Sequence, residues 1–192
     1  SVICYAHQDG LSLPEKAYYI EAKYQDKRDA FVTHVERMLV LGGVDANAAK
    51  ARAKAVLAFE TRLAGASLSP IETRDPANMY NYVTLDQADK ASPNFSWSKF
   101  MAAEKLTGVK GFSLSQPKFF AEFDKMLAEV PAADWQAYFQ YHILEDAAPY
   151  VNNALGNERF AFYGKVMRGQ EQQKPRWKRV LDTVNDSLGE AL

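Results

Sequence analysis

Apolar residues recur at helical spacing along most of the chain, and the elements this pattern predicts are nearly all helices. Gly10-Leu11-Ser12-Leu13-Pro14 reads as a turn into a short helix, with proline preset for the first turn and Tyr18, Tyr19 and Ile20 supplying an apolar side. Asp26 can cap a second helix, in which Phe31, Val35, Met38 and Leu39 share one stripe and Gly42-Gly43 provide the stop. Asp45 or Asn47 then opens an alanine-rich helix with Ala55, Val56, Phe59 and Leu63 facing inward, and its small residues predict close antiparallel packing against the helix before it.

The rhythm breaks after Leu63. Ser69-Pro70-Ile71-Glu72 has the form of a capping box, but Asp75-Pro76 interrupts it within a turn, because a residue before proline avoids the α conformation. Thr84-Leu85-Asp86-Gln87 offers a further short capped turn, and Ser96 can cap a helix carrying Trp97, Phe100 and Met101. Val109 to Ser115, with Gly108 and Gly111 nearby, is the one predicted strand. Beyond it lie a helix from Pro117 with Phe119, Phe120, Phe123, Met126 and Leu127, and another from Pro131 with Trp135, Tyr138, Phe139, His142 and Ile143. Pro149 should kink or split the second of these, and a further helix carries Phe160, Tyr163 and Val166. The expected fold class is therefore all-α, a multi-helix lobe with at most a very small strand element.

The last predicted helix starts at Pro175 and places Trp177, Val180, Leu181, Val184 and Leu188 at helical spacing, with no closing glycine, proline or polar tail through Leu192. It reads as a helix cut short, so the expectation is that a domain follows Leu192.

Composition narrows the function classes. With 192 residues and 47% of them hydrophobic, the chain can bury a substantial core. Its 23 basic and 24 acidic residues leave a formal net charge of -1, which points to no nucleic acid and no anionic membrane. Lys174, Arg176, Lys178 and Arg179 are read as a solvated helix face. No apolar run approaches the roughly 20 residues of a membrane span. Cys4 is the single cysteine, which excludes an internal disulfide framework, and it is read as a short buried or edge position.

The familiar catalytic patterns do not occur. Two histidines four residues apart on a helix, with a glutamate between them, would hold zinc and a water base; His7, His34 and His142 form no such pair. His34 is read as a helix-surface residue and His142 as a histidine beside the aromatic core. There is no glycine-rich phosphate loop, nucleophile elbow or dinucleotide fingerprint. The neighbouring acids Glu21 with Asp26 and Glu145 with Asp146 are read as solvated, and Arg74-Asp75 as a pair that locks an irregular loop.

Several short motifs occur in a telling order: Gly10-Leu11-Ser12-Leu13-Pro14 with Tyr18-Tyr19; Glu60-Thr61-Arg62-Leu63-Ala64; Arg74-Asp75-Pro76 with Tyr80-Asn81 and Thr84-Leu85; then Phe95-Ser96-Trp97, Gln116-Pro117, and Trp135 with Tyr138. Phe160-Ala161-Phe162-Tyr163-Gly164, Gly169, Pro175-Arg176-Trp177-Lys178-Arg179 and Leu188-Gly189-Glu190-Ala191-Leu192 complete the series. In this order they resemble the N-terminal region of the neprilysin family of zinc metallopeptidases, bacterial type, since the disulfide cysteines of animal members are missing. The sole departure is Gln8-Asp9-Gly10, where a second glycine is common in the family.

The resemblance implies that residues 1–192 are part of a helical N-terminal domain that forms a lid and size filter over a catalytic domain expected after residue 192. That domain would hold the zinc, and this segment would bind none and be inactive alone. The implied partners are the chain's own C-terminal catalytic domain and peptide substrates. The implied location is extracytoplasmic, whether periplasmic, secreted or membrane-anchored, in a bacterium. No catalytic or metal-binding residue is assigned within the chain, and its substrate-binding residues are left unassigned. Two other readings stay open: a stand-alone helical protein-interaction module, which would bury its apolar faces, and an enzyme whose site is assembled from separated acids and His142.

Overall fold

The computed structural model of the chain describes residues 3–189. In chain order a two-residue strand β1 (Tyr5–Ala6) leads to helix α1 (Ala17–Ile20), α2 (Gln25–Leu41) and α3 (Ala46–Ala66). An irregular connector with two 3-10 turns follows, then β2 (Tyr82–Thr84), α4 (Leu85–Ala91), α5 (Trp97–Ala103) and β3 (Gly111–Leu114). The last part is α6 (Pro117–Glu129), α7 (Ala132–Val151), α8 (Asn153–Arg159), a π-helical segment (Phe160–Val166) and α9 (Arg176–Leu188). The fold is mostly helical with one small three-stranded sheet, as the apolar pattern predicts.

Helices α2 and α3 form the expected antiparallel pair. Gly43 turns the chain between them with a φ of 89°, and the Asp45 side chain caps α3 by accepting from the backbone N–H groups of Asn47 and Ala48. Ala49 and Ala53 are fully buried against α2, so the helix axes approach closely. Asp26 is not the cap of α2; a 3-10 turn (Ala22–Tyr24) runs directly into Gln25, and Asp26 lies inside the first turn.

Two apolar clusters meet along α3 and α7. The first packs Phe31, Val35, Met38 and Leu39 of α2 against α3, Tyr141 and Ala148 of α7, Leu155 and Phe162. The second surrounds the sheet: Phe59 and Leu63 of α3 pack with Trp97, Met101, Phe112, Leu114, Phe119, Phe120, Met126 and Tyr138. The Arg62 guanidinium reaches both Glu122 and Glu129, tying α3 to α6 at the edge of this cluster.

The sheet order is β1-β3-β2, with β1 parallel and β2 antiparallel to β3. The predicted strand is thus central, while β1 and β2 are too short to leave a period of two in the sequence. Cys4 sits half-buried beside this sheet, where its carbonyl accepts from the Ser113 N–H.

The capping boxes form as read, with different consequences. Thr84 and Gln87 exchange both bonds and start α4. Ser69 and Glu72 also exchange theirs, yet the chain makes only 3-10 turns, because Pro76 follows so soon. In that connector Asp75 does the locking, accepting from the Ala77 N–H at 2.9 Å. Arg74 is exposed and makes no ion pair or side-chain hydrogen bond among the described residues, contrary to expectation. Glu72, held by the Ser69 N–H and hydroxyl and by Lys16, has its pKa drawn down to about 2.

Helix α7 departs most from its reading. Its buried positions are Ala137, Tyr138, Tyr141, Glu145 and Ala148, whereas Phe139 is 52% and Ile143 66% exposed. The core-facing stripe includes a glutamate, and the more conspicuous apolar residues lie on the outer face. Pro149 is tolerated inside α7, which stops two residues later before Asn152 caps α8 through the Leu155 N–H. The segment after α8 is wider than an α-helix, so Phe162 rather than Phe160 or Val166 reaches the core.

Candidate functional site

Three polar features stand out against this packing. The first is Glu60, fully buried on α3. A carboxylate in such a place must be satisfied by donors, and its oxygens accept from the Ser12 N–H at 2.9 Å, the Ser12 hydroxyl at 2.7 Å and the Tyr19 hydroxyl at 2.6 Å. The His142 Nε2 lies 3.0 Å from Oε1. Tyr138 extends the cluster by donating to the Gly10 carbonyl at 2.9 Å. Burial, reinforced by the charge of Glu60, pushes the phenol pKa values of Tyr19 and Tyr138 upward, so both stay neutral donors.

Ser12, Glu60 and His142 are the residue types of a nucleophilic triad, but their order is wrong for one. Glu60 stands between the serine and the histidine, so the imidazole does not contact the Ser12 oxygen, and Glu60 has no exposed surface to meet a substrate. The cluster instead ties the Gly10-to-Pro14 turn to α3 and α7. Gly10 holds a φ of 90° there, and a Cβ on it would come within 2.5 Å of the Tyr138 hydroxyl oxygen. Gly10→Ala is expected to cost about 2 kcal/mol in urea unfolding, from backbone strain and the displaced phenol.

The second feature is His34, which the sequence reading places on a helix surface. It is 1% exposed. Its ring stacks on Phe162 at 4.7 Å, with Nδ1 3.2 Å from Glu158 and Nε2 3.1 Å from Glu145. Glu145, expected to be solvated, is buried as well, and Arg159 Nε lies 2.6 Å from its Oε1 as an ion pair without hydrogen-bond geometry; Arg37 approaches Glu158 at 3.7 Å. Burial disfavours the charged imidazole, yet the two carboxylates outweigh it and hold the pKa above the usual histidine value. His34 therefore links α2, α7 and α8 through contacts that favour its imidazolium form. Because its carboxylates sit at opposite ring nitrogens, the three side chains do not converge on one ion.

His142 is half-buried beside Tyr138 and Tyr141, as expected for a histidine next to the aromatic core. Among the described residues no group of three or more His, Cys, Asp or Glu side chains could hold a metal ion. No described helix is long and apolar enough to cross a membrane.

The third feature is α9. None of its residues is buried, and Trp177, Val180, Leu181, Val184 and Leu188 form an apolar ridge that is exposed along its length, Trp177 by 63%. Arg176, Arg179 and Thr183 line a cleft that α9 makes with α8 and the π-helical segment, together with Val180 and Val184 of the ridge, while Trp177, Leu181 and Leu188 stay outside it. An amphipathic helix usually buries its apolar side against the body of the protein, whereas here no described residue covers that side fully. The final part of the motif at Glu190-Ala191-Leu192 lies outside the described residues.

The sequence profile of Peptidase family M13 matches residues 1–192. The chain belongs to this family. Among M13 relatives, Neprilysin-2 of Drosophila melanogaster is 26% identical over 188 residues, covering 95% of this chain and 24% of the fly protein. Human endothelin-converting enzyme-like 1 is 38% identical over 197 residues, covering 96% and 24%. The zinc metalloprotease Zmp1 of Mycobacterium tuberculosis, solved in complex with an inhibitor, superposes with a TM-score of 0.88 at 28% identity, covering 96% of this chain and 29% of that one. PepO of Lactobacillus rhamnosis shares the fold, with a TM-score of 0.77 at 17% identity over 93% of this chain and 28% of its own. The chain spans about a quarter of the length of the curated M13 relatives it matches.

Proposed function

We propose that residues 1–192 belong to the helical N-terminal domain of an extracytoplasmic bacterial zinc metalloendopeptidase that hydrolyses oligopeptides, and that this part forms the lid and size filter over the active-site cavity. The single observation that supports a lobe over a self-sufficient module is the exposed ridge of α9. Five large apolar side chains in one line lose hydration cost only when something covers them, and the rest of a longer polypeptide is the partner this reading supplies. The lid would act by geometry: it restricts access to extended peptides, excludes bulk water and orients the chain to be cut. Zinc and its bound water would be held elsewhere in that polypeptide.

Two measurements test this. In the longer polypeptide, hydrolysis of a quenched oligopeptide should vanish on chelation and return with zinc, while residues 1–192 alone should neither cleave it nor bind zinc; a one-to-one zinc titration of residues 1–192 by calorimetry overturns the reading. The double substitution Trp177→Ser and Leu181→Ser should destabilise the longer polypeptide by about 3 kcal/mol through lost apolar burial. The same pair in residues 1–192 should change stability by no more than about 0.5 kcal/mol, as for exposed sites. Equal effects in both would remove the case for a covered ridge.

A further inference from the structure

The cleft behind α9 has a volume of about 740 Å³, within the range of about 300–1,000 Å³ typical of ligand sites. Its apolar wall includes Tyr150, Phe160, Val180 and Val184. Its charged wall is unbalanced. Arg159 and Lys174 are answered by Glu145 and Asp182, each at 2.6 Å, but Arg168, Arg176 and Arg179 have no ion-pair partner among the described residues, and Asp186 is the one other carboxylate on the wall. Arg179 Nε is buried and has no hydrogen-bond acceptor. Buried donors are satisfied in folded proteins as a rule, so this atom marks a place where an acceptor belongs.

Guanidinium groups take carboxylates in a paired, planar geometry, and a low-dielectric apolar wall strengthens that attraction. Resting on the reading that the chain is part of a longer protein, we propose that this cleft seats an acidic polypeptide segment from outside residues 1–192 of that same protein, with its carboxylates on Arg168, Arg176 and Arg179 and its apolar side chains against Phe160 and Val180. A small inorganic anion would satisfy the arginines but leave the apolar wall open to water. The segment would also hold α9 at its present distance from α8, since α9 buries no side chain of its own there.

The test uses a short fluorescein-labelled peptide repeating glutamate and leucine, and the same peptide with glutamine for glutamate, with binding to residues 1–192 read by fluorescence anisotropy. The acidic peptide should bind at least about tenfold more tightly, a preference that fades as salt rises. The double substitution Arg176→Gln and Arg179→Gln should abolish the preference while leaving the thermal melt unchanged, because α9 contributes nothing to the buried core. In the longer polypeptide the labelled peptide should bind at least about tenfold more weakly, since the cleft is already filled in cis. Equal binding of the two peptides, retention of the preference in the arginine variant, or displacement by millimolar inorganic phosphate would overturn the proposal. So would undiminished binding to the longer polypeptide, or concentration-dependent dimers of residues 1–192 that block the peptide. Zinc-dependent peptidase activity is measured separately, so loss of the cleft proposal and loss of the peptidase reading give different results.

Discussion

Replacing Glu60 with alanine should destabilise residues 1–192 by about 4 kcal/mol, lowering the melting temperature by roughly 12 °C. The size of the effect comes from what is left behind. With the carboxylate gone, the Ser12 N–H and hydroxyl and the Tyr19 hydroxyl lose their acceptor in a largely buried site, and a cavity opens at a fully buried position. Glu60→Gln keeps the shape and one accepting oxygen, so it should cost about half as much. Differential scanning calorimetry of both variants decides the matter. Near-equal small losses would mean that the turn at Gly10 to Pro14 is held by Leu13 and Tyr138 packing alone, and that the polar cluster is incidental to the fold.

The next largest effect is expected at His34, and it depends on pH. Its folded-state pKa is raised, so the stabilising contribution of the imidazolium is fully present below the unfolded value of about 6.5 and is lost as pH rises through the folded value. Glu145 and Glu158 face the ring from α7 and α8, Arg159 and Arg37 stand behind them, and the Phe162, Tyr141 and Tyr163 rings close the remaining sides. The urea midpoint of the wild-type chain should therefore fall as pH climbs above about 6.5. In His34→Gln that slope should flatten, and stability at pH 6 should drop by about 3 kcal/mol because two largely buried carboxylates lose their shared cation. A wild-type midpoint that is level or rising across this range would show that His34 is neutral in the folded chain and acts only by stacking on Phe162.

Both predictions rest on residues whose roles the linear pattern concealed, and the reason is the same in each case. Glu60 and Glu145 occupy core-facing positions of α3 and α7, where helical periodicity calls for an apolar residue, so each reads as a gap in the stripe. Their partners lie at 48 residues' separation for Ser12 to Glu60 and 111 for His34 to Glu145, and nothing local signals such pairs. His34 is hidden for a related reason: a polar residue within a helix reads as solvent-facing unless its burial partner is evident from nearby residues. The same bias put Phe139 and Ile143 inside, although α7 turns them outward. Local devices with short-range causes were readable, among them the caps at Asp45, Thr84 and Ser96, the stop at Gly43 and the proline start of α6.

The sequence by itself determined that the chain is a lobe of helices around a minor strand, because turn chemistry and a 3.6-residue period act within a few residues of their cause. It also determined the family, through the order of short motifs, which needs no three-dimensional contact to be seen. Only the tertiary structure decided which charged groups are buried and paired, and that the apolar ridge of α9 stays exposed while Arg176 and Arg179 line a cleft beside Val180 and Val184. Those outcomes depend on competition between faces of different helices for one interior, a property of the assembled chain that no single segment carries.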